Sequence, residues 1–323
     1  MKKIILVSGD PNSINSEIIF KSWKKLSKSK KKKIYLISNY NLLKQQFKKL
    51  NYKIKIQKVE NNRKFIENDN LKIIDIKLKF KNPFKVEEKE ASKFVMKSID
   101  LGHKLSLNKK KVAGLINCPI NKNLLNSKFL GITEYLANKC KIRNKSEVML
   151  INNEKLSVSP ITTHINIREV PNKINKLVII KKVNLINTWF KNYIKKKPYI
   201  GILGLNPHNA ELKSNSEEKK IIMPAIKNLK KLGIKVEGPL SSDTVFISNY
   251  KKFDVIVGMY HDQVLSPFKT LFKYDAINLT IGLKYFRISP DHGTAVNLVG
   301  KNKANPLSLI KCINTLFKLS KYV

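Results

Sequence analysis

Short, β-branched apolar runs alternate with amphipathic stretches along most of this chain, which predicts an α/β protein on a mainly parallel sheet. At 323 residues the chain can form two domains or one large one. Several apolar runs end in glycine, asparagine or histidine. Open α/β sheets gather their functional groups at such carboxyl ends of strands.

Taken in order, a first strand is read at 4–7, ahead of Gly9-Asp10-Pro11, then a helix at about 16–27. The opening residues resemble a signal peptide, but the apolar part is short and meets Gly-Asp-Pro, so a strand is the better reading. A strand at 33–38, a helix at 41–50, a strand at 52–57, a polar loop at 61–70 and a strand at 73–78 follow. The spacing of Ala91, Phe94, Val95, Ile99 and Leu105 predicts a helix over 88–107, leading to a strand at 112–116. Further on come a helix at 134–144, a hairpin of 148–151 with 156–158, and a long helix at 174–194. A strand at 199–203 closes on Asn206-Pro207-His208; a helix at 217–232 contains Pro224, which kinks it. Strands at 253–258 and 276–281 and a final helix at 307–319 complete the reading.

The formal net charge is +41. Such a charge invites a nucleic-acid reading. Against it, arginine occurs only at 63, 143, 168 and 287, and base-edge readout favours the guanidinium fork. Heavy shared use of Lys, Ile and Asn fits AT-rich codons and a solvated lysine surface. Where the chain does use arginine, its geometry matters. Cys118, Cys140 and Cys312 are widely spaced and form neither a disulfide framework nor a zinc ribbon, which favours a cytoplasmic location. No run of about 18 apolar residues spans a membrane.

The stretch 258–295 is the richest in candidate chemistry: His261 and Asp262, Lys269, Asn278, Arg287, and Asp291-His292-Gly293-Thr294-Ala295. Of five histidines, His164, His208 and His261 each follow a strand, whereas His103 falls within a helix. Three imidazoles from separate loops either make an open metal site or are hydrogen-bonded structural groups. Lys269, Asn278 and Arg287 suit a phosphorylated or carboxylated ligand. Asp10, Asp243 and Asp262 are acid–base, orienting or capping groups. No Gly-x-Gly-x-x-Gly loop follows the first strand, so the usual dinucleotide fingerprint is absent.

Together these segments resemble the 4-hydroxythreonine-4-phosphate dehydrogenase family of the vitamin B6 pathway. The matching pieces are Gly9-Asp10-Pro11 with Glu17, Pro119-Ile120-Asn121-Lys122, Thr133-Glu134, and Thr162-Thr163-His164 with Arg168 and Pro171. They continue through Gly204-Leu205-Asn206-Pro207-His208, Gly238-Pro239-Leu240 with Asp243-Thr244, Met259-Tyr260-His261-Asp262-Gln263 and Asp291-His292-Gly293-Thr294-Ala295. The resemblance implies an isocitrate/isopropylmalate-dehydrogenase-like fold with an interdomain cleft: a discontinuous first domain (1–130 plus about 290–323) and a second (131–289). It implies a homodimer with shared sites. It also implies a divalent metal (zinc, magnesium or cobalt) on His164, His208 and His261, and substrate contacts from Thr133, Lys269, Asn278 and Arg287. The block His292-Gly293-Thr294 looks like the superfamily's adenosine-binding loop for NAD or NADP. The implied reaction is oxidation of 4-phosphooxy-L-threonine at C3, then decarboxylation to 3-amino-2-oxopropyl phosphate, with the metal as Lewis acid and Lys269 or Asp243 relaying the hydroxyl proton.

This chain departs from the family pattern in three places. The family's Gly-His-Thr-Glu is Gly131-Ile132-Thr133-Glu134, so one imidazole contact is missing. Its Gly-Ile-Gly-Pro is Ser13-Ile14-Asn15-Ser16, and its glycine-rich segment after Asn-Pro-His is Asn209-Ala210-Glu211-Leu212-Lys213. Loops that needed φ > 0 are expected to have changed shape. Ile132 leaves open a related substrate, 4-phosphoerythronate or phosphothreonate. A non-catalytic, basic binding protein is the alternative from another class.

Overall fold

The computed structural model describes residues 2–60, 66, 68–125, 131–142, 147–247 and 249–322. In chain order the strands are β1 (Lys3–Val7), β2 (Ile34–Ser38), β3 (Ile56–Val59), β4 (Leu71–Asp75), β5 (Val112–Asn117) and β6 (Val148–Asn152). They continue as β7 (Ser157–Pro160), β8 (Ile200–Leu203), β9 (Val236–Leu240), β10 (Val255–Gly258), β11 (Ile277–Ile281) and β12 (Phe286–Pro290). The chain divides into two compact units, Met1–Cys140 with Lys284–Val323, and Lys141–Leu283.

In the first unit the order is β3-β4-β2-β1-β5-β12, and the pairs are parallel. Lys-Ile-Ile-Leu-Val in β1 is buried throughout, as a central parallel strand covered on both faces requires. The Glu88–Ser106 helix lays Ala91, Phe94, Val95 and Ile99 into the core at three- and four-residue spacing. Gly102 lets it come close: a Cβ there would stand 2.9 Å from Leu115 and 3.0 Å from Val7. The lysine coat has one exception inside. Lys72 of β4 is 0% exposed, its Nζ donating to the carbonyls of Lys31, Asn68 and Asn70.

The boundary at Cys140 puts Thr133 in the first unit, whereas the sequence suggests 131–289 for the second domain. The Ile132–Lys139 helix explains this, because Tyr135 and Leu136 are buried and Tyr135 Oη donates to Asp100 at 2.5 Å. Arg287 belongs to the first unit for a parallel reason: β12 pairs with β5, with Arg287 opposite Leu115.

In the second unit the order is β11-β6-β7-β10-β8-β9. β6 runs antiparallel to β11 and β7, and the other pairs are parallel. The expected hairpin is present, its turn held by Asn153 Oδ1, which accepts from Lys155 N and Leu156 N. The His261–Phe272 helix buries Val264, Leu265 and Phe268 in the cluster that includes Val158, Leu203 and Ile256. Fully burying such side chains stabilises by roughly 1.5–3 kcal/mol each.

Among the elements that the sequence left unread, three contain proline or a rare arginine. β9 contains Gly-Pro and lies at the sheet edge, where proline is tolerated; β12 carries Arg287 and ends in Pro290; the His261–Phe272 helix contains Pro267. The expected 174–194 helix is α-helical over Lys176–Trp189 and widens to a π turn at Phe190–Ile194. The 217–232 helix is a π turn at Glu218–Ile222 followed by Met223–Lys231, so Pro224 falls in a first α turn, where it costs little. Parts of the expected 61–70 loop (61–65 and 67) and 134–144 helix (143 and 144) lie outside the described residues. Among the described residues, no helix is long and apolar enough to cross a membrane.

Candidate active site

The adjacent strands β7, β10 and β8 of the second unit run parallel, so their carboxyl ends share one edge. Pro160 stands opposite Gly258, and the ladder continues past both strands. Ile161 N donates to Gly258 O at 2.8 Å, and Thr162 N and Oγ1 both donate to Met259 O at 3.1 and 2.7 Å. That pairing delivers His164 beside His261, with ring centroids 5.7 Å apart. His261 Nδ1 lies 2.7 Å from Asp262 Oδ1. A carboxylate only accepts, so the bond takes the Nδ1 proton and leaves the Nε2 lone pair for a ligand. Asp262 therefore orients His261.

Gln263, quoted within a motif but given no role, links two strand ends. Its Oε1 accepts from Met259 N and its Nε2 donates to Gly204 O, both at 2.7 Å, and the residue is buried. Beyond Gly204, Leu205 N and Asn206 N each donate to Glu218 Oε1 at 2.8 Å. Burial pushes the Glu218 carboxyl up, but donation from Asn206 and Leu205 prevails and holds it below the usual carboxylate range. His208 opens an exposed turn in which His208, Asn209, Ala210, Glu211 and Leu212 are all left-handed, with φ between 48° and 56°. Positive φ is thus held through this turn by residues other than glycine.

The three histidines do not gather as the resemblance implies. His164 and His261 meet, but among the described residues no group of three His, Cys, Asp or Glu side chains could hold a metal ion. His208 follows β8 at the same sheet edge, on the left-handed turn, without joining the pair. Lys269 lies exposed on the His261–Phe272 helix, and Asp243 is exposed in the Ser242–Val245 turn. Asn278 stands on β11 opposite Ile151, half-buried, with an Oδ1 that is shut off from solvent and makes no hydrogen bond among the described residues.

The first unit assembles a different corner. Arg287 is 4% exposed; its Nε donates to Asn117 Oδ1 at 2.8 Å and an Nη donates to Thr133 Oγ1 at 3.3 Å. Burial lowers its pKa to about 10, opposed by Tyr285, Glu134 and Cys312. Two of the four expected substrate residues are thus in contact. Asn117 was missed, though a polar residue closing an apolar strand was a signal. Ile132, the first residue of its helix, is 8% exposed. Asp10 is buried and closes loops: it accepts from Asn12 N and Asn121 N, and burial raises its pKa.

The cofactor candidates lie in the same unit. His292 Nδ1 is 3.0 Å from Gly293 O, Asp291 N donates to Ser308 Oγ, and Thr294 O accepts from Ile14 N at 3.2 Å. Among the described residues nothing lies within 4 Å of where a Gly293 Cβ would stand, so this backbone is open to close approach by a planar ring. That openness fits a nucleotide.

Comparison with known proteins agrees with the motifs. Residues 30–316 match the family model described as pyridoxal phosphate biosynthetic protein PdxA. A 4-hydroxythreonine-4-phosphate dehydrogenase of Sulfurihydrogenibium sp. (strain YO3AOP1) is 38% identical, with 99% of each chain covered. One of Aquifex aeolicus (strain VF5) is 37% identical, covering 98% of this chain and 97% of its own. The crystal structure of a 4-hydroxythreonine-4-phosphate dehydrogenase from Klebsiella pneumoniae superposes with a TM-score of 0.82 at 28% identity, covering 99% of this chain and 100% of that one. A terephthalate 1,2-cis-dihydrodiol dehydrogenase from Burkholderia xenovorans LB400, 20% identical with a TM-score of 0.65, shares the fold.

Proposed function

The chain belongs to the family of the pyridoxal phosphate biosynthetic protein PdxA, the 4-hydroxythreonine-4-phosphate dehydrogenases, and from that premise we propose that it oxidises 4-phosphooxy-L-threonine at C3 with NAD or NADP. The 3-oxo acid then loses carbon dioxide to give 3-amino-2-oxopropyl phosphate. The observation that carries this reading is Arg287, a deeply buried guanidinium held against Thr133. A cation kept out of water at such cost suits an anionic substrate.

In this reading Thr133, Lys269, Asn278 and Arg287 bind the substrate, and the unbonded Asn278 Oδ1 is an acceptor for a donor group on it. In the oxidation the hydroxyl proton would pass to a base, Lys269 or Asp243, while C3 gives up a hydride that a bound nicotinamide would accept. Breaking the C–C bond then releases carbon dioxide, and the carbanion equivalent takes up a proton. His292, Gly293 and Thr294 hold the nucleotide, which supplies the hydride acceptor when bound. His164, His208 and His261 would hold a divalent metal, zinc, magnesium or cobalt. Among the described residues they stand as a pair, His164 with His261, and a separate third.

The same reading includes a homodimer with shared sites in the cytoplasm. The net charge of +41 belongs to a solvated surface, so duplex DNA should bind only at low salt and be released at physiological salt. Sequence-specific binding at physiological salt would count against this. Since the family consists of dehydrogenases, a non-catalytic binding role has no support. A second substrate reading, 4-phosphoerythronate or phosphothreonate, is favoured by one observation, the apolar Ile132 beside Thr133. The deciding experiment assays NAD and NADP reduction on a panel of phosphorylated hydroxy acids, with metal analysis of the protein. The highest kcat/KM should fall on 4-phosphooxy-L-threonine; no turnover of any phosphorylated acid would refute the reading.

A further inference from the structure

One helix, Asn15–Lys25, grips the segment from Thr294 to Ala304 at both ends. At the near end Ile14, its N-cap, donates its N–H to Thr294 O at 3.2 Å. At the far end Lys21 and Glu17, one turn apart, hold a short piece of backbone. Lys21 Nζ donates to Glu17 Oε1 at 2.8 Å and to the carbonyls of Asn302 and Ala304, both at 3.0 Å. Those are the three bonds an ammonium can make. Glu17, 1% exposed, accepts from Ala304 N on the same oxygen at 2.5 Å. Tyr52, stacked on Phe20 of this helix with ring centroids 3.8 Å apart, donates its Oη to Asn302 Oδ1 at 2.5 Å.

The gripped segment has a short 3-10 turn of its own at Val296–Leu298, but its two ends depend on outside contacts. Ala295, Gly300 and Asn302 have φ of 46°, 74° and 58°. For residues other than glycine such conformations cost on the order of 1 kcal/mol or more and persist where surrounding contacts impose them. Here the contacts come from Ile14, Glu17, Lys21 and Tyr52.

We propose that Glu17, Lys21 and Tyr52 are positioning residues for the cofactor: they fix the 292–304 loop in its receiving shape and so set nucleotide affinity without touching the nucleotide. This rests on the reading of His292-Gly293-Thr294 as the cofactor loop. A merely structural role would lower stability and disturb all kinetic constants together. A positioning role moves the Kd and KM for the nucleotide and leaves kcat and the KM for substrate alone.

The test uses the full-length protein with Lys21→Met, Lys21→Arg and Tyr52→Phe. Its readouts are NAD and NADP Kd by titration calorimetry, steady-state kinetics, and amide hydrogen exchange of residues 292–304 without ligand. Lys21→Met should weaken nucleotide binding about tenfold and speed exchange in the loop, while kcat stays within about twofold. Lys21→Arg should recover part of the loss. Tyr52→Phe removes a single bond at a solvent-facing position, keeps the ring stack, and should weaken binding about threefold; it decides the matter if Lys21→Met fails to fold. Unchanged loop exchange, or faster exchange with unchanged nucleotide Kd, overturns the proposal. If the wild-type protein binds neither NAD nor NADP, the reading of the loop fails first and takes the proposal with it.

Discussion

Arg287 and the strand-end histidines are built on opposite plans. Arg287 is 4% exposed, locked by Asn117 and Thr133, and set in a strand of the first unit. His164 and His208 are exposed in the second unit, on loops beyond the ends of their strands, and His261 is half-buried at the start of a helix. The buried cation carries a desolvation penalty, as its lowered pKa records, and gains a fixed orientation. A fixed side chain on a strand thus contrasts with imidazoles on loops and at a helix start.

The largest expected effect tests the fixed plan. Arg287→Met should lower kcat/KM for the phosphorylated substrate by about a thousandfold, since truncating a buried, hydrogen-bonded charge typically costs 2–5 kcal/mol. Arg287→Lys keeps the charge but loses the fork, and should recover only a minor part. Full recovery in steady-state assays would mean that orientation contributes nothing.

The loop plan is tested by His208→Ala. Metal content and turnover should fall together, turnover by about a hundredfold or more. Thermal unfolding should hardly move, because the side chain is exposed. A variant that keeps stoichiometric metal and normal turnover would remove His208 from the metal set.

Ile132→His sharpens the boundary of the Arg287 corner. Restoring an imidazole beside Thr133 should raise kcat/KM for 4-phosphooxy-threonine about tenfold, relative to a phosphorylated acid lacking the contacted group. An unchanged ratio would show that residue 132, 8% exposed at the helix start, faces the core and not the substrate.

The smallest effect concerns acid. Burial, with Lys139 nearby, holds the His103 pKa below 6.5, and its Nδ1 is 3.0 Å from the hydroxyl of Tyr285. Below pH 6.5 the unfolded chain takes up a proton that the fold resists, so stability falls with pH across that window. His103→Gln should flatten the decline in denaturation midpoint between pH 7.5 and about 5.5. An equally steep decline would assign the sensitivity elsewhere.

Much of this was legible in the sequence where the signal is local. Apolar runs located most strands, and the rarity of arginine singled out Arg287 amid the lysines. Contacts between distant residues left no mark: Asn117 with Arg287, Gln263 with Gly204, and Lys21 with Ala304 join residues that no spacing rule relates. The lost glycines divide the same way. None of residues 13–16 has positive φ, so the substitutions there ask nothing of the backbone, while 208–212 keep left-handed geometry without glycine. Where each histidine stands relative to the others was the hardest to read, because it depends on loop paths after the strands end.

Gln263 has a consequence of its own. One end of its amide reads an N–H and the other a C=O, so the side chain has a polarity that no near-isostere reproduces. Glutamate would set an oxygen against the Gly204 carbonyl, and methionine would leave both backbone groups unanswered. The bond to Met259 N sits two residues before His261, and the bond to Gly204 O lies just past the end of β8. The side chain thus closes, with a single amide, the gap between the backbone that leaves β8 and the backbone that leaves β10.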